Sequence, residues 1–334
     1  MVFGGVGLDN LQGHYPAGYF DDALHPNNSG YVEFFSTISP SLFTALGINK
    51  PRPSKMSTTS VELTSAKESL DFNPDGSVHA MTVLVDVQTS GKGDLLQIVT
   101  PNGIANIRIN NAGRAEYVAA NNAVITSANT INNNAWHTLA LTHYFAQGVT
   151  HFYVDGQRQN GQVAERRTTQ KLTLKGLNTS INLRNFMFYR SAMNSRELAA
   201  LQSGQLLQSS LALYAPLNGQ GKNIKDALQN YAQSMETLSY SSINSAVIVY
   251  QDCNFNGYSI ALTEGSYDLN QLNAIGIKND DISSLRVQAG YQIKMYQNWD
   301  FSGITLTKNM DDSCLVDDGY NDDISSVVIS RISG

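Results

Sequence analysis

Lys278-Asn279-Asp280-Asp281-Ile282-Ser283-Ser284-Leu285 returns 42 positions later as Tyr320-Asn321-Asp322-Asp323-Ile324-Ser325-Ser326-Val327. Each copy stands behind the same aromatic–glycine pattern. The first is Tyr250-Gln251-Asp252-Cys253-Asn254-Phe255-Asn256-Gly257 and the second is Tyr296-Gln297-Asn298-Trp299-Asp300-Phe301-Ser302-Gly303. One unit of about four strands therefore occurs twice, in the same order, within residues 246–334. A Tyr and a Phe five residues apart cannot share a face of a flat strand, where faces alternate with a period of two. They meet only if the chain folds over between them, as in a strand running into a hairpin. The glycine two residues after the Phe supplies a backbone angle that a side chain would forbid.

The Asn-Asp-Asp-Ile-Ser-Ser string gathers carboxylate, amide and hydroxyl oxygens at adjacent positions, and its one Ile is the natural core anchor. Together with freed carbonyls these oxygens form a calcium ligand set; magnesium keeps its waters and asks for near-ideal octahedral geometry. A lone string of this kind is an ordinary loop former, capping strands by local hydrogen bonds. Its recurrence behind the same hairpin pattern favours the cation. Charge agrees: residues 246–334 hold twelve acids and five bases, a net of −7, while the whole chain carries −6. Neither part has a basic surplus to neutralise phosphates, which argues against nucleic acid as a partner.

Outward from the repeat, Ser239 to Ser245 is small and polar, as a linker is, and 334 residues suffice for two domains. The boundaries expected are 1–240 and 246–334. The first part is strand-like: Thr82 to Val87, Ile107 to Ile109 and Thr150 to Val154 alternate, with turn signals such as Asp155-Gly156 and Asn160-Gly161 between the runs. Helical patterns are few. Ser195 to Gly204 is one, with Ser195 as cap, and 224–235 is a second candidate. Many short strands between turns mean a sandwich or barrel, so the fold class expected is all-β. No run of about 18 apolar residues occurs to span a bilayer. Cys253 and Cys314 are too few for a disulfide framework or a four-ligand zinc site.

With those motifs in hand, residues 246–334 resemble a βγ-crystallin domain of the microbial type. That family has two Greek-key motifs, each with a Tyr–x4–Phe–x–Gly hairpin and a calcium motif of two Asn/Asp, two variable residues, Ser/Thr and Ser. The resemblance implies two calcium ions between the motifs, each drawing ligands from both. Carried over, Asp280, Asp281 and Ser283 and their counterparts Asp322, Asp323 and Ser325 supply ligands. Asn279 and Asn321 open the motifs, and the backbone carbonyls of Gln251 and Gln297 complete the shells. The second copy departs from the pattern in one place. Where the first has Glu264-Gly265-Ser266-Tyr267, the second has Asn309-Met310-Asp311-Asp312-Ser313-Cys314, which implies an irregular folded hairpin there.

In the first part, Ala135-Trp136-His137-Thr138-Leu139, then Tyr153-Val154-Asp155-Gly156, then Phe186-Met187-Phe188-Tyr189 leading to Ser195-Arg196-Glu197-Leu198, resembles laminin-G-like domains of the concanavalin A-like jelly-roll fold. The match is good over about 80–204. Residues 1–75 and 205–240 are assigned by default to outer strands of the sandwich. Jelly-roll folds host lectins, glycan hydrolases and adhesion modules, so the fold does not choose among them. The Glu–x–Asp–x–x–Glu string of jelly-roll glucanases is absent, and Glu62 and Glu68 lack the spacing that sets paired carboxylates about 5–5.5 Å apart. His137 and His143 share strand parity with Leu139 and Leu141 and are expected to flank a packed face, with no carboxylate or cysteine at ligand spacing. Tyr15, Tyr19, Tyr31 and Tyr117 are candidate sugar platforms, but a sandwich also buries tyrosines, and core or edge packing is the commoner use.

The sequence reading is thus a stable, abundant, non-enzymatic, calcium-binding structural protein. The alternative is a lectin-like module that binds glycans through its jelly roll. The start Met1 to Asn10 has no basic flank or apolar core of a leader, which reads as cytoplasmic, or as secreted if a leader has been removed.

Overall fold

The structure, a computed structural model, describes residues 17–22, 25–51, 55–218, 227–242, 245–288, 290–321 and 323–332. It is all-β in class, with short helices. The chain falls into two compact units. The first comprises 1–66, 72–218 and 230–236, and the second 67–71, 219–229 and 237–334.

In the first unit, one sheet runs Val61–Leu63, Ile181–Tyr189, Met81–Thr89, Trp136–Tyr144, Val149–Val154, Gln157–Arg158 in spatial order. A second carries Lys171–Lys175, Gly93–Thr100, Gly103–Ile109, Arg114–Val118 and Val124–Thr130 as neighbours. The pleat explains which residues enter the core: Ala105, Ile107 and Ile109 point inward while their neighbours do not. Met81–Thr89 is central and nearly continuously buried, with Val83 opposite Leu141 and Val85 opposite Leu139. Asp155 and Gly156 both take positive φ, 51° and 72°, as the tight turn before Gln157–Arg158 requires. At the core's edge Arg190 and Glu236, 1% and 0% exposed, pair at 2.8 Å. Glu236 also accepts from the Asp75 amide at 2.8 Å and the Ser39 hydroxyl at 3.1 Å.

Three expectations are corrected. The Ser195–Gln202 helix is capped by Asn194, not Ser195. Asn194 Oδ1 accepts from the amides of Arg196 and Glu197, and Glu197 returns to the Asn194 amide, a full capping box. Two helices, Asn28–Ser36 and Leu42–Gly47, occupy the region assigned to outer strands. Of the 224–235 helix candidate, 227–228 are helical and 229–235 are irregular, while 224–226 lie outside the described residues.

The repeat builds the second unit. Ser245–Asp252 lies between Asn256–Thr263 and Ser284–Val287 in one sheet. Tyr291–Tyr296 lies between Thr305–Lys308 and Ser326–Arg331 in the other. Gly265–Tyr267, third strand of the first copy, crosses to pair with Val327–Ile329 of the second copy's sheet. The reciprocal crossing is where the sequence departs from the pattern. It survives as one bridge, Leu285 to Asp312. Val249, Leu262, Leu285, Ile293, Met295 and Val327 fill the core between the two copies.

Candidate metal centre

The two hairpins fold as the Tyr–Phe spacing requires. Tyr250 and Phe255 meet edge-on at 5.5 Å between ring centroids, and Tyr296 and Phe301 at 5.9 Å. The fold-over puts Phe255 and Phe301 at φ 59° and 60°, and the glycines follow at 73° for Gly257 and 84° for Gly303. A Cβ on Gly257 would lie 2.8 Å from Gln251 Cβ, and one on Gly303 3.1 Å from Gln297 Cβ. Each hairpin is closed by a fully buried serine. Ser284 Oγ donates to Asp252 O at 2.6 Å and accepts from the Phe255 amide at 3.1 Å. Ser326 does the same with Asn298 O and the Phe301 amide, at 2.6 and 3.2 Å.

This closure carries the oxygen-rich loops. Ile282 and Ile324, each 1% exposed, anchor them in the core as expected. Ser283 and Ser325, each 8% exposed, follow directly. The Ser283 amide donates to Tyr250 O at 2.9 Å, and the Ser325 amide donates to Tyr296 O at 3.0 Å. Gln251 and Gln297 are the residues next to those carbonyls. The loops also touch one another: the Asp280 amide donates to Ile324 O at 3.2 Å.

Asn279 is exposed, and its Nδ2 donates to Asp280 Oδ2 at 2.5 Å. Asp280 is half-buried at φ 56°. Asp281 accepts from Tyr258 Oη at 2.7 Å and from Gln251 Nε2 at 3.2 Å. Burial, then the hydrogen bond and charge of Asp281, push the Tyr258 hydroxyl's pKa up, so it remains a donor. Asp323 is exposed and Asn321 half-buried; Asp322 lies outside the described residues. Asn321 Oδ1 is buried with no hydrogen-bonding partner among the described residues.

The donor set fits a hard cation. It consists of hydroxyl, carboxylate, amide and carbonyl oxygens, one of them an acceptor left over. No group of three or more His, Cys, Asp or Glu that could hold a metal ion stands among the described residues.

Sequence reading missed two features. Cys253 and Cys314 form a disulfide, their Cα atoms 4.5 Å apart. A separation of 61 residues gives no local signal of this. In the first unit, His137 does meet a carboxylate: Nδ1 lies 2.8 Å from Asp155 Oδ2, and Nε2 lies 2.9 Å from Asn133 Oδ1. That pair lines a cleft of about 500 Å³ with Asn129, Gln157, Arg158 and Asn160. His143 is fully buried, in a stretch from Leu139 to Tyr144 that is buried on both faces. Of the sugar-platform candidates, Tyr117 is wholly buried and donates to Glu165, so it presents no stacking face. Tyr31 is 49% exposed, Tyr19 half-buried, and Tyr15 lies outside the described residues.

Comparison with known proteins finds similarities in both parts of the chain. Residues 58–199 match the Laminin_G_3 family, described as the concanavalin A-like lectin/glucanases superfamily. The C-terminal part is similar to a βγ-crystallin domain from Flavobacterium johnsoniae, 44% identical, with 27% of this chain and 98% of that one covered and a TM-score of 0.26. A βγ-crystallin domain from Clostridium beijerinckii is 39% identical over 25% of this chain and 95% of its own, TM-score 0.24. Development-specific protein S of Myxococcus xanthus is 39% identical over 57 residues, 17% of this chain and 33% of that protein. The match thus spans about a third of that curated relative. The chain carries a laminin-G-like domain of the concanavalin A-like superfamily and, behind it, a duplicated region similar to βγ-crystallin domains.

Proposed function

We propose that this is a non-enzymatic structural protein whose C-terminal unit binds two calcium ions between the duplicated loops. The observation that carries the reading is the direct contact of the loops, Asp280 amide to Ile324 carbonyl at 3.2 Å, with Ser283 and Ser325 held alike against Tyr250 and Tyr296. Asp280, Asp281 and Ser283, with Asp322, Asp323 and Ser325, would hold the ions; Asn279 and Asn321 shape the loops, and the Gln251 and Gln297 carbonyls complete the shells. Bound calcium would supply a charge that draws these oxygens together. The chain's own part is to hold the serines against the hairpins and keep Asp281 oriented through Tyr258. Because such ions cross-link loops distant in sequence, binding becomes folding stability: at 100 times the dissociation constant each independent site adds about 2.7 kcal/mol. Thermal melting in excess calcium and in chelator tests this. A higher melting temperature with calcium supports the reading, and identical curves refute it.

A second reading, glycan binding by the laminin-G-like domain, is favoured by the cleft around His137. Its amide, carboxylate and guanidinium groups could recognise sugar hydroxyls. Specific retention on a glycan array, lost in Asp155→Ala, would favour it; no retention on any glycan would remove it.

A further inference from the structure

The irregular crossing of the second copy is the one closed by the disulfide. Segment 311–315 lies along the end of the first oxygen-rich loop. Asp312 and Leu285 exchange amide–carbonyl bonds of 2.9 and 2.8 Å, and the Leu315 amide donates to Ser283 O at 2.8 Å. The Asn254 amide donates to Ser313 O at 2.6 Å, and Lys308 Nζ holds Asp312 and Asp318 at 2.6 and 2.7 Å. Cys314 sits in this segment and Cys253 in the hairpin that carries Gln251, so their bond joins the two walls between which Ser283 is held. Ser283 bonds to both walls through its backbone, to Tyr250 on one side and Leu315 on the other. The second copy has no such clamp: the residue matching Cys253 is Trp299, 63% exposed. Both cysteines are only partly buried, which leaves the bond open to an attacking thiolate.

We propose that Cys253–Cys314 is a redox-sensitive lock on the first calcium loop, an inference that rests on the calcium reading above. The reductant is a dithiol. Its thiolate attacks one cysteine sulfur and breaks the S–S bond, and the departing cysteine thiolate takes a proton. The reductant's second thiol then resolves the mixed disulfide. The protein gains two thiols, and the reductant leaves as a cyclic disulfide, two electrons and two protons having passed. Once 311–315 is no longer tied to the hairpin, Ser283 loses its fixed position, and the ion it binds is held less tightly. Ser325, whose hairpin has no such bond, keeps its place.

Calorimetric calcium titration of the full chain, oxidised and after dithiothreitol, tests this, with thiol counting to verify reduction. The lock predicts two sites in the oxidised protein. After reduction one dissociation constant rises at least tenfold and the other changes less than twofold. The double variant Cys253→Ser, Cys314→Ser should match the reduced protein and ignore dithiothreitol. Two affinities unchanged on verified reduction would overturn the lock and leave the calcium reading intact. Far-ultraviolet circular dichroism on the same samples checks folding. Wholesale unfolding on reduction would also overturn the lock, since the bond would then support the whole unit rather than one loop. An oxidised protein that takes up no calcium would sink the calcium reading, and the lock with it.

Discussion

Tyr258 donates its hydroxyl hydrogen to Asp281 at 2.7 Å, and at the matching place in the second copy the chain has Ile304, 64% exposed. The two loops share a backbone plan but differ here in how a carboxylate is oriented. A hydrogen bond to a charged group contributes about 1.5–3 kcal/mol. Tyr258→Phe should therefore weaken one calcium site about tenfold or more and leave the other near its original affinity. Equal weakening of both sites would contradict this assignment.

Gly257 combines φ 73° with a missing Cβ that would meet Gln251 Cβ at 2.8 Å and Asp252 Oδ2 at 2.7 Å. Alanine there is strained both by conformation and by contact, and strain of that kind costs on the order of 1–3 kcal/mol. Gly257→Ala should lower the urea midpoint of the C-terminal unit. Gly290, also at positive φ (87°) but with nothing within 4 Å of its would-be Cβ, supplies the control: Gly290→Ala should cost less.

The duplicated unit was legible because its signals are local and occur twice. Tyr–x4–Phe–x–Gly dictates a folded hairpin, and Ile282 and Ile324 mark the loop residue that must be buried. The disulfide was not legible, since it is set by the crossing of 311–315 onto the first sheet, a tertiary event. The helices at 28–47 were missed for a different reason. Phe35 and Phe43 are more than two-thirds exposed, at 71% and 73%, so apolar spacing there does not report a buried helix face. Asp155 read as a turn residue, and only the hairpin's return brings its carboxylate to His137. Whether Tyr117 is a core residue or a sugar platform was not legible, because inward and outward tyrosines have the same sequence signature.

Arg190 and Glu236 form a nearly solvent-free ion pair in the first unit, and Glu236 Oε1 also accepts from the Asp75 amide. Removing one partner of a buried pair leaves the other charge uncompensated and costs about 3–5 kcal/mol. Glu236→Gln should lower the melting temperature of that unit by many degrees. A shift within error would mean that the guanidinium finds other acceptors.

His143 is held as the neutral imidazole. The Thr150 hydroxyl gives its hydrogen to Glu165, so Thr150 Oγ1 accepts from His143 Nδ1 at 2.9 Å, and the Arg167 amide donates towards Nε2 at 3.4 Å. Burial first, then the charge of Arg167, hold its pKa well below the usual histidine value, with Arg166 and His79 adding in the same sense. The unfolded chain therefore binds the proton more readily. The stabilisation is full above the unfolded value of about 6.5 and is lost as pH falls below it towards the folded value. Melting temperatures from pH 7.5 to 5.0 should drop more steeply for the wild type than for His143→Gln. Parallel curves would contradict the assignment.

Isothermal calcium titration of the intact, oxidised chain bears most directly on the central claim, that the Asn279–Ser284 and Asn321–Ser326 loops together hold cations. Two bound calcium ions per chain are predicted, with binding abolished or severely weakened in the double variant Ser283→Ala, Ser325→Ala. No heat and no bound calcium at millimolar concentration, or full binding by that double variant, would contradict it.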